Sequence, residues 1–481
     1  MVYSSIVFLL YFLPIFLVIY YLIDKKYKNI FILISSIFFY SWGAPKFIFV
    51  ILGTTFLDFH LVKWMSNMKN DLNRKLMLTL SVSINFGLLF YFKYSNFFIE
   101  NVNAVLSIFG GQNIQWTKLV LPIGISFYTF ETITYVVDVY RRVHKPLDKF
   151  WDYQLYIILF PKLIAGPIIR YHDLADQITD RSHNDTLDNK LTGFYRFILG
   201  LAKKVLIANH MGAQADAIFA LDYANLDTYT AWIGILAYTF QIYFDFSGYS
   251  DMAIGIAKMI GFKFPENFDN PYTSRSITEF WRRWHITLGA WMRNYLYIPL
   301  GGNRVSKRRL YFNLWLVFLA SGLWHGASWG FVIWGAYHGL FLILERSFLL
   351  KFLNKIGKLP STLFTFLVVV IGWVFFRLEH FKEAIAYLKR MFAFDFKQDY
   401  YNIYNSPFSL DLEFYVYFTI AIFFAFFTYF KLGQKIQNAV YFNDYTLKRH
   451  YTLTFTSIVL LIICISALSA TGFNPFIYFR F

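Results

Sequence analysis

The sequence predicts an all-α integral membrane protein, and its composition and its long uncharged runs are the observations that predict it. Hydrophobic residues make up 57% of the 481 residues and charged residues 15%, whereas soluble domains carry roughly 25% charged residues. Runs without a charged side chain cover residues 4–23, 310–344 and 451–479. Each reaches the roughly 20 apolar residues that a helix needs to cross a bilayer. The runs do not alternate polar and apolar residues as barrel strands do, so the predicted spans are helices.

Hydrophobic segments follow one another along the whole chain, without a repeat, a low-complexity linker or a soluble domain between them. We place them approximately at residues 4–23, 29–44, 47–57, 76–92, 119–137, 153–169, 191–209, 228–260, 310–344, 361–376, 414–430 and 451–470. Several are short or broken, and broken segments at membrane depth occur only where protein or a water-filled cavity surrounds them. These lengths predict about eleven crossings plus re-entrant and interfacial helices. One membrane domain, residues 1–481, is expected to hold them all.

The connections between these segments are mostly short. The longest are predicted at about residues 101–118, 139–152, 172–190, 262–276 and 393–412. Residues 381–396 mix charged and apolar side chains at helical spacing. That pattern is typical of a helix in the membrane interface, and an ordinary solvated helix explains it nearly as well.

Basic residues cluster in short connections, which predicts the topology of the chain. Lysines and arginines gather at residues 25–28, 141–145 and 304–309, the pattern of cytoplasmic loops. If the connection at residues 25–28 is cytoplasmic, the N-terminus lies outside. The first segment lacks a positive region ahead of it and a clear cleavage site, so it is interpreted as a retained helix. The net charge of +16 therefore indicates membrane lipid rather than nucleic acid as the partner.

The uncharged run at residues 310–344 contains the first candidate catalytic residue, His325. As one straight helix this run would measure roughly 52 Å, against a hydrocarbon core of about 30 Å. We expect it to break near the glycines at positions 322, 326 and 330, which lie around the histidine. A histidine at such a break can face a cavity, take a proton from a hydroxyl and return it to a leaving group. A neutral histidine bonded to a neighbouring carbonyl fits the burial equally well.

The second candidate, His285, lies in a polar and aromatic stretch at residues 270–304. Arginines recur through this stretch between tryptophans and tyrosines, at Arg275, Arg282, Arg283, Arg293 and Arg304. Guanidinium groups on a re-entrant or interfacial helix are suited to the phosphates of a nucleotide-bearing donor. Anchoring to anionic lipid headgroups accounts for the same composition equally well.

The start of a helix is predicted inside this stretch by the spacing of Ser276 and Glu279, which matches a capping box. Glu279 and Arg283 would then lie four residues apart on the helix surface. If the helix continues, Trp281, His285 and a glycine at position 289 share one face.

The other buried ionisable residues are interpreted as structural. His338 lies on the predicted helix after the break and fits a hydrogen bond between helices. Asp245 and Asp251 lie beside an apolar run and either orient a histidine or arginine or form structural pairs, and Glu131 is a weaker candidate of the same kind. The single cysteine, Cys464, excludes an internal disulfide. No HExxH motif or cysteine pair occurs, so no metal site is predicted.

Three stretches together resemble the membrane-bound O-acyltransferase family: FWRRWH at 280–285, SGLWHG at 321–326 and YFDFSGYSD at 243–251. Four more are similar to the bacterial alginate O-acetylation branch of that family: LPIGISFYTF at 121–130, PKLIAGP at 161–167, NYLYIPLGGNR at 294–304 and NPFIYFRF at 474–481. The resemblance spans about residues 1–350 and the extreme C-terminus. Each stretch alone is modest, but their order and spacing make the match specific.

The resemblance implies a helical fold thinned at its centre by a tunnel, with His325 as the catalytic residue and His285 as the second important position. A thioester donor, acetyl-CoA or an acyl carrier, would dock on the cytoplasmic side, with no permanently bound cofactor. In this branch the acetyl group is often passed to a separate extracytoplasmic transferase. The residues expected to bind substrate are Arg282, Arg283, Trp324, Asp245 and Asn303.

The expected function is O-acetylation of a cell-envelope polysaccharide by an acyltransferase of the bacterial cytoplasmic membrane. The acceptor would be either peptidoglycan or an exopolysaccharide such as alginate. His325 is expected to act as general base, and an acyl-histidine intermediate is the alternative. D-alanyl transfer to teichoic acid is the nearest rival function, and lipid or sterol acylation is a weaker one. A transporter or flippase is the rival from another class, although no matched inverted halves are visible in the sequence.

Overall fold

The computed structural model describes residues 1–223, 226–396, 410–442 and 445–470, together with residues 472, 474, 476 and 477. Within these ranges the regular secondary structure is helical, with one isolated bridge between Phe268 and Trp284. An all-helical protein was predicted, and the described residues confirm it. Most of the predicted loop at 393–412 and most of the motif at 474–481 lie outside the described residues.

Two compact units can be distinguished in the chain. The first comprises Met1–Val2, Val7–Thr186 and Ile260–Pro265. A π-helical turn, Phe8–Phe12, precedes its helices, which are α1 (Leu13–Leu22), α2 (Lys28–Gly43), α3 (Ile48–Asn67), α4 (Asp71–Ile108), α5 (Ile125–Tyr140), α6 (Phe150–Ile158), α7 (Phe160–Leu163) and α8 (Tyr171–Thr179). The short α7 begins beside Pro161, so the break predicted in segment 153–169 is confirmed.

The second unit comprises Tyr3–Ile6, Leu187–Met259 and the described part of Glu266–Phe481. Its described helices are α9 (Leu187–Ala202), α10 (Asn209–Phe219), α11 (Thr228–Met259), α12 (Ile277–Arg283), α13 (Ile286–Trp291), α14 (Lys307–His325), α15 (Trp329–Leu344), α16 (Leu350–Ile356), α17 (Lys358–Arg377), α18 (Phe381–Met391), α19 (Leu412–Phe426), α20 (Lys431–Tyr441) and α21 (Leu447–Ala470). Both candidate histidines belong to this unit. The prediction of a single domain stays a prediction.

Five described helices are long and apolar enough to cross a membrane: α3, α4, α17, Leu412–Tyr429 and α21. The shorter apolar helix Phe8–Leu22 corresponds to the predicted first segment. The chain is therefore a membrane protein with several apolar helices, as its composition predicted.

The helix α4 shows where the predicted loops were wrong. Asn70 caps its start by accepting a hydrogen bond from the Leu72 N–H at 2.8 Å, and the helix then runs for 38 residues. It continues to Ile108 and so enters the predicted loop at 101–118, because no proline interrupts it. The chain then leaves the helix at a glycine at position 110, whose φ of 70° is left-handed. The predicted loop at 172–190 likewise contains α8, whose apolar residues Leu174, Ala175 and Ile178 are buried.

Glycines bring α9 and α11 into backbone contact. A Cβ added at position 193 would lie 2.7 Å from the carbonyl oxygen of residue 255, and a Cβ at position 248 would lie 2.7 Å from that of residue 200. Such close approach requires residues without side chains. The contact places Asp251 of α11 against Arg196 of α9, with a nitrogen–oxygen distance of 2.6 Å.

Candidate active site

His325 is the last residue of α14, and the chain turns back through residues 326–328 into α15. The predicted break in the uncharged run is therefore confirmed, and the histidine lies at the tip of a helical hairpin. Its side chain is buried, with 4% of its surface exposed. The helices α14 and α15 can approach closely because Gly322 has no side chain. A Cβ at that position would lie only 2.3 Å from the carbonyl oxygen of Phe331.

The turn itself accepts only small residues for steric reasons. A Cβ on Gly326 would fall 2.1 Å from the ring of Phe331, and one on Gly330 would fall 2.4 Å from the carbonyl oxygen of Leu378. The glycines predicted to permit the break thus also allow α15 to pack against α17 and the segment that follows it.

Aromatic rings surround the imidazole of His325. Its centroid lies 4.9 Å from that of Trp324, 5.2 Å from that of Trp334 and 5.1 Å from that of Phe376. Walls of this kind exclude water and strengthen the electrostatic interactions of any polar group that enters.

His285 occupies the junction between two short helices, and here the sequence prediction was wrong. The helix α12 ends at Arg283, and His285 has a left-handed φ of 45° before α13 begins. Trp281, His285 and residue 289 therefore do not share the face of one continuous helix. The backbone is redirected because Phe268 pairs with Trp284 in an isolated bridge and the Ile286 N–H donates to the Asn267 carbonyl at 3.0 Å.

The start of α12 follows the predicted capping pattern in part. Ser276 Oγ accepts a hydrogen bond from the Glu279 N–H at 3.1 Å. The reciprocal bond reaches the N–H of Arg275, at 2.8 Å, instead of that of Ser276. Glu279 also forms the expected ion pair with Arg283, at 2.7 Å.

A second cap on α12 was not predicted. Glu345, which directly follows α15, is buried and accepts hydrogen bonds from the N–H groups of Ile277 and Thr278 and from the Thr278 hydroxyl. A carboxylate at a helix N-terminus compensates the unpaired N–H groups and the helix dipole. It also ties the hairpin that carries His325 to the segment that leads to His285. The only signal in the sequence is that Glu345 ends the uncharged run.

The two candidate histidines lie side by side. Their ring centroids are 6.4 Å apart, and Trp324 contacts both, at 5.9 Å from His285 and 4.9 Å from His325. Phe246 of α11 covers His285 from another side, at 4.7 Å. Residues from three separate segments of the sequence, at about positions 246, 285 and 325, thus meet at one buried point.

Asn267 is a residue of this site that sequence reasoning missed. Its side chain is fully buried, and its Oδ1 lies 3.0 Å from Nδ1 of His285. Burial lowers the pKa of His285 to about 3, so the imidazole is neutral near pH 7. Asn267 lies in a predicted loop. It carries no charge and belongs to no recognisable motif, so only the folded chain shows that it lies beside the histidine.

The predicted arginines differ in their surroundings. Arg282 is exposed, whereas Arg283 is half-buried and lines a polar cavity of about 600 Å³. Arg275 and Lys358 add positive charge to that cavity, Asp269 and Glu279 add negative charge, and five amides also line it: Asn270, Asn354, Gln434, Gln437 and Asn438. A cavity of this composition is suited to a polar, strongly hydrogen-bonding ligand.

The predicted substrate residues Asp245 and Asn303 have other neighbours in the described part of the chain. Asp245 is buried, 3.0 Å from Lys204, and accepts a hydrogen bond from the Ile477 N–H. Asn303 is exposed and accepts hydrogen bonds from Tyr297 Oη at 2.7 Å and Arg346 at 3.3 Å. None of these contacts involves His285 or His325.

The remaining acids have the structural surroundings that were expected, but the hydrogen bond between helices that was predicted for His338 is not found, because neither of its ring nitrogens has a partner among the described residues. Asp251 pairs with Arg196 and Lys203, and buried Glu131 pairs with Lys162. His338 lies on α15 as predicted and is fully buried, with the rings of Trp281 and Trp334 at 4.9 and 5.2 Å.

Comparison with known proteins adds a second line of observation. The model of the membrane-bound O-acyltransferase family matches residues 34–378, a range that contains both histidines. The probable alginate O-acetylase AlgI of Pseudomonas putida is 42% identical over 490 residues, covering 100% of each chain. The peptidoglycan O-acetyltransferase of Helicobacter pylori is 36% identical over 426 residues, 81% of this chain and 80% of its own. A teichoic acid D-alanyltransferase of Streptococcus thermophilus is 30% identical over 244 residues, 48% of this chain and 58% of its own.

Proposed function

This chain belongs to the membrane-bound O-acyltransferase family, and from that premise we propose that it moves an acetyl group from a cytoplasmic thioester to or across the membrane for O-acetylation of a cell-envelope polysaccharide. The alginate O-acetylase and the peptidoglycan O-acetyltransferase each match more than four fifths of the chain, and both support acetyl as the group transferred. The D-alanyltransferase covers only 48% of the chain, which makes D-alanyl transfer the weaker candidate. The transporter alternative is not supported, because the family is one of enzymes.

The observation that carries the proposal is the adjacency of His285 and His325, with ring centroids 6.4 Å apart in a buried aromatic pocket. A ring nitrogen lies about 1 Å from its centroid, so nitrogens of the two rings are at least about 4 Å apart and do not bond each other directly. We propose that substrate atoms bind between the two rings, at a hydrogen-bonding distance of about 2.8 Å from a nitrogen of each.

In the proposed reaction His325 acts as general base. It takes the proton of the acceptor hydroxyl while the hydroxyl oxygen attacks the thioester carbonyl carbon, giving a tetrahedral intermediate. The carbon–sulfur bond then breaks, and the thiolate recovers the proton from the imidazolium. His285 orients the reacting groups, and Trp324 packs against both imidazoles. In the alternative, the imidazole itself attacks the thioester and passes the acetyl group to the hydroxyl as acyl-histidine.

The donor is proposed to be acetyl-CoA or an acyl carrier that presents the same phosphopantetheine thioester. Arg275, Lys358 and the amides of the polar cavity supply charge and hydrogen bonds of the kind that phosphates require. Arg283, which pairs with Glu279 in the same cavity, and exposed Arg282 are proposed to assist them. Asp245 and Asn303 are proposed to act indirectly, by supporting the surrounding helices.

The remaining expectations complete this proposal. We place the protein in the bacterial cytoplasmic membrane, with about eleven crossings and a tunnel that joins the two faces. The basic connections face the cytoplasm, where the donor is made. A separate extracytoplasmic acetyltransferase is the proposed partner that receives the acetyl group when the polysaccharide is not modified directly.

The test compares His325→Ala with His338→Ala in membranes supplied with acetyl-labelled acetyl-CoA. Both histidines are buried in the same hairpin, so His338→Ala controls for the loss of a buried imidazole. We expect His325→Ala to lower label transfer to polysaccharide by about 10²–10⁴-fold, while His338→Ala retains transfer. Equal transfer by His325→Ala and the unmodified protein would overturn the proposal. Use of a D-alanyl carrier with no consumption of acetyl-CoA would overturn acetyl as the group transferred.

A further inference from the structure

Asn267 connects four hydrogen-bonding groups beside His285. Its Oδ1 lies 3.0 Å from His285 Nδ1, 3.3 Å from the Thr287 backbone nitrogen and 2.9 Å from the Thr287 hydroxyl. Its Nδ2 donates to Ser250 Oγ at 3.0 Å. All four residues are buried, with at most 4% of any side chain exposed, so these bonds are shielded from water.

The backbone N–H of Thr287 fixes which end of the Asn267 amide faces His285. An N–H can only donate, so the atom that it contacts must be the oxygen of the amide and not its nitrogen. The same oxygen lies against His285 Nδ1, and an oxygen without hydrogen can only accept. Nδ1 of His285 must therefore carry the hydrogen.

The tautomer of His285 follows from this assignment. A neutral imidazole carries one N–H, so Nε2 is left with a lone pair and no hydrogen. Among the described residues, no hydrogen-bond partner is found for this buried Nε2. A buried polar atom without a partner destabilises the folded protein, and such atoms in native structures require an explanation. The explanation offered here is that an N–H or O–H group of the substrate, bound beside His325, donates a hydrogen bond to this Nε2.

We propose that Asn267 is a positioning residue, which holds His285 as the Nδ1–H tautomer so that Nε2 is a hydrogen-bond acceptor toward the substrate. The inference rests on the proposed function, in which His285 orients the reacting groups. It specifies how His285 orients them: its Nε2 accepts a hydrogen bond from an N–H or O–H group of the acyl donor or of the acyl acceptor. In this tautomer its one N–H is directed at Asn267, so it has no N–H to offer the thioester oxygen.

The experiment compares Asn267→Ala and Asn267→Asp in the full-length protein in proteoliposomes, with acetyl-CoA as donor. Asn267→Ala leaves the imidazole free to change tautomer, and we expect kcat to fall roughly 10–100-fold, the range found for residues that orient metal-binding histidines, with KM nearly unchanged. Asn267→Asp keeps an oxygen that accepts from Nδ1–H. Its negative charge favours the imidazolium and raises the pKa of His285.

The pH profile separates this role from a merely structural one. His285 must be unprotonated to accept, so a raised pKa moves the acid limb of the kcat profile to higher pH in Asn267→Asp, with activity recovered above that limb. His325 is the titratable neighbour in ring contact with His285, and its own limb is assigned from the unmodified protein. An unshifted acid limb in Asn267→Asp would overturn the inference.

Ser250→Ala serves as the matched control, because it removes a buried partner of Asn267 and leaves the bonds that fix the amide oxygen. We expect it to retain most of the activity with the normal pH profile. A loss as large as that of Asn267→Ala would mean that packing around Asn267 matters, and the inference would fall. His285→Ala distinguishes the two proposals. If it is inactive while Asn267→Ala is fully active, only the tautomer inference fails; if it is fully active, the assignment of His285 to the site fails first.

Discussion

Gly326 is the residue whose backbone turns immediately after His325, and its missing side chain makes room for the ring of Phe331. A Cβ at this position would lie 2.1 Å from that ring, a distance that neither the ring nor the backbone tolerates without moving. The position of the imidazole proposed to be catalytic therefore depends on a residue that carries no functional group.

We expect Gly326→Ala to lower kcat for acetyl transfer by at least about tenfold, because displacement of a reacting group by 1 Å costs on the order of 10²-fold. Overpacking of this kind also destabilises a core by about 1–3 kcal/mol. Gly53→Ala in α3 is the control, since a Cβ there meets nothing within 4 Å. Normal kcat in Gly326→Ala, measured on protein of matched folded fraction, would contradict this account of the hairpin tip.

Side-chain chemistry at the site was predictable from the sequence wherever an ionisable residue stood alone in an apolar run. His325 is such a residue, and the geometry places it where the break was expected. Asn267 is not, because an uncharged residue in a loop carries no signal until His285 Nδ1 is found 3.0 Å away. The distinction is physical: the cost of burying an ionisable group is visible in a sequence, but the partner of a neutral amide is not.

The helix α12 is the element that most depends on contacts made by residues distant in the sequence. It has only seven residues, Ile277–Arg283, and helices this short are not stable by themselves. Glu345 satisfies two of its first N–H groups from the end of α15.

We expect Glu345→Ala to lower the thermal stability of the purified protein and its acetyl transfer together, because it removes the acceptor of the buried Ile277 N–H, at about 1–3 kcal/mol, and that of the half-buried Thr278 N–H. Glu345→Gln keeps one acceptor oxygen and should lie between Ala and the unmodified protein. The measurement is thermal unfolding in detergent followed by tryptophan fluorescence. Glu383→Ala, which removes an exposed glutamate in the first turn of α18, is the control. Unchanged stability in Glu345→Ala would exclude this cap as a source of order.

Elements were predicted correctly where a local rule decides them and wrongly where a distant contact does. The cap at Ser276 and the break after His325 follow from local sequence. The end of α12 does not, because the left-handed φ of His285 is imposed by pairing of Phe268 with Trp284. No residue between 283 and 286 is a glycine or proline that would announce the turn.

At the scale of the whole molecule, the distribution of basic residues predicts how the chain lies in the membrane. With the N-terminus outside, the connection near Lys26 is cytoplasmic. The helices α2 and α3 then return the chain to the cytoplasmic side near Lys69, and α4 carries it out again before Gln112. These three residues are exposed, so each reports the side on which its connection lies.

We expect single cysteines at positions 26 and 69, in a Cys464→Ser background, to react with a membrane-impermeant maleimide only in inverted vesicles. A cysteine at position 112 should react only in intact spheroplasts. The native cysteine is buried in α21, so its replacement by serine removes background labelling. Labelling of all three positions from one side would contradict the predicted topology.

The sequence by itself determined that this is a membrane protein, that it is helical and which family it resembles. Those conclusions depend on composition, on the length of uncharged runs and on ordered motifs, all of which are properties of the chain before it folds. It also determined that His325 stands at a break, since a run of that length does not fit a bilayer as one helix.

Only the tertiary structure decided how the site is assembled. Three contacts join segments that lie far apart in sequence or are connected by irregular backbone. They are the approach of the two histidines to 6.4 Å, the cap from Glu345 and the bond between Asn267 and His285. Local propensities do not encode such contacts. They arise when packing of the glycine-rich hairpin and the pairing at Phe268 fix where each backbone passes.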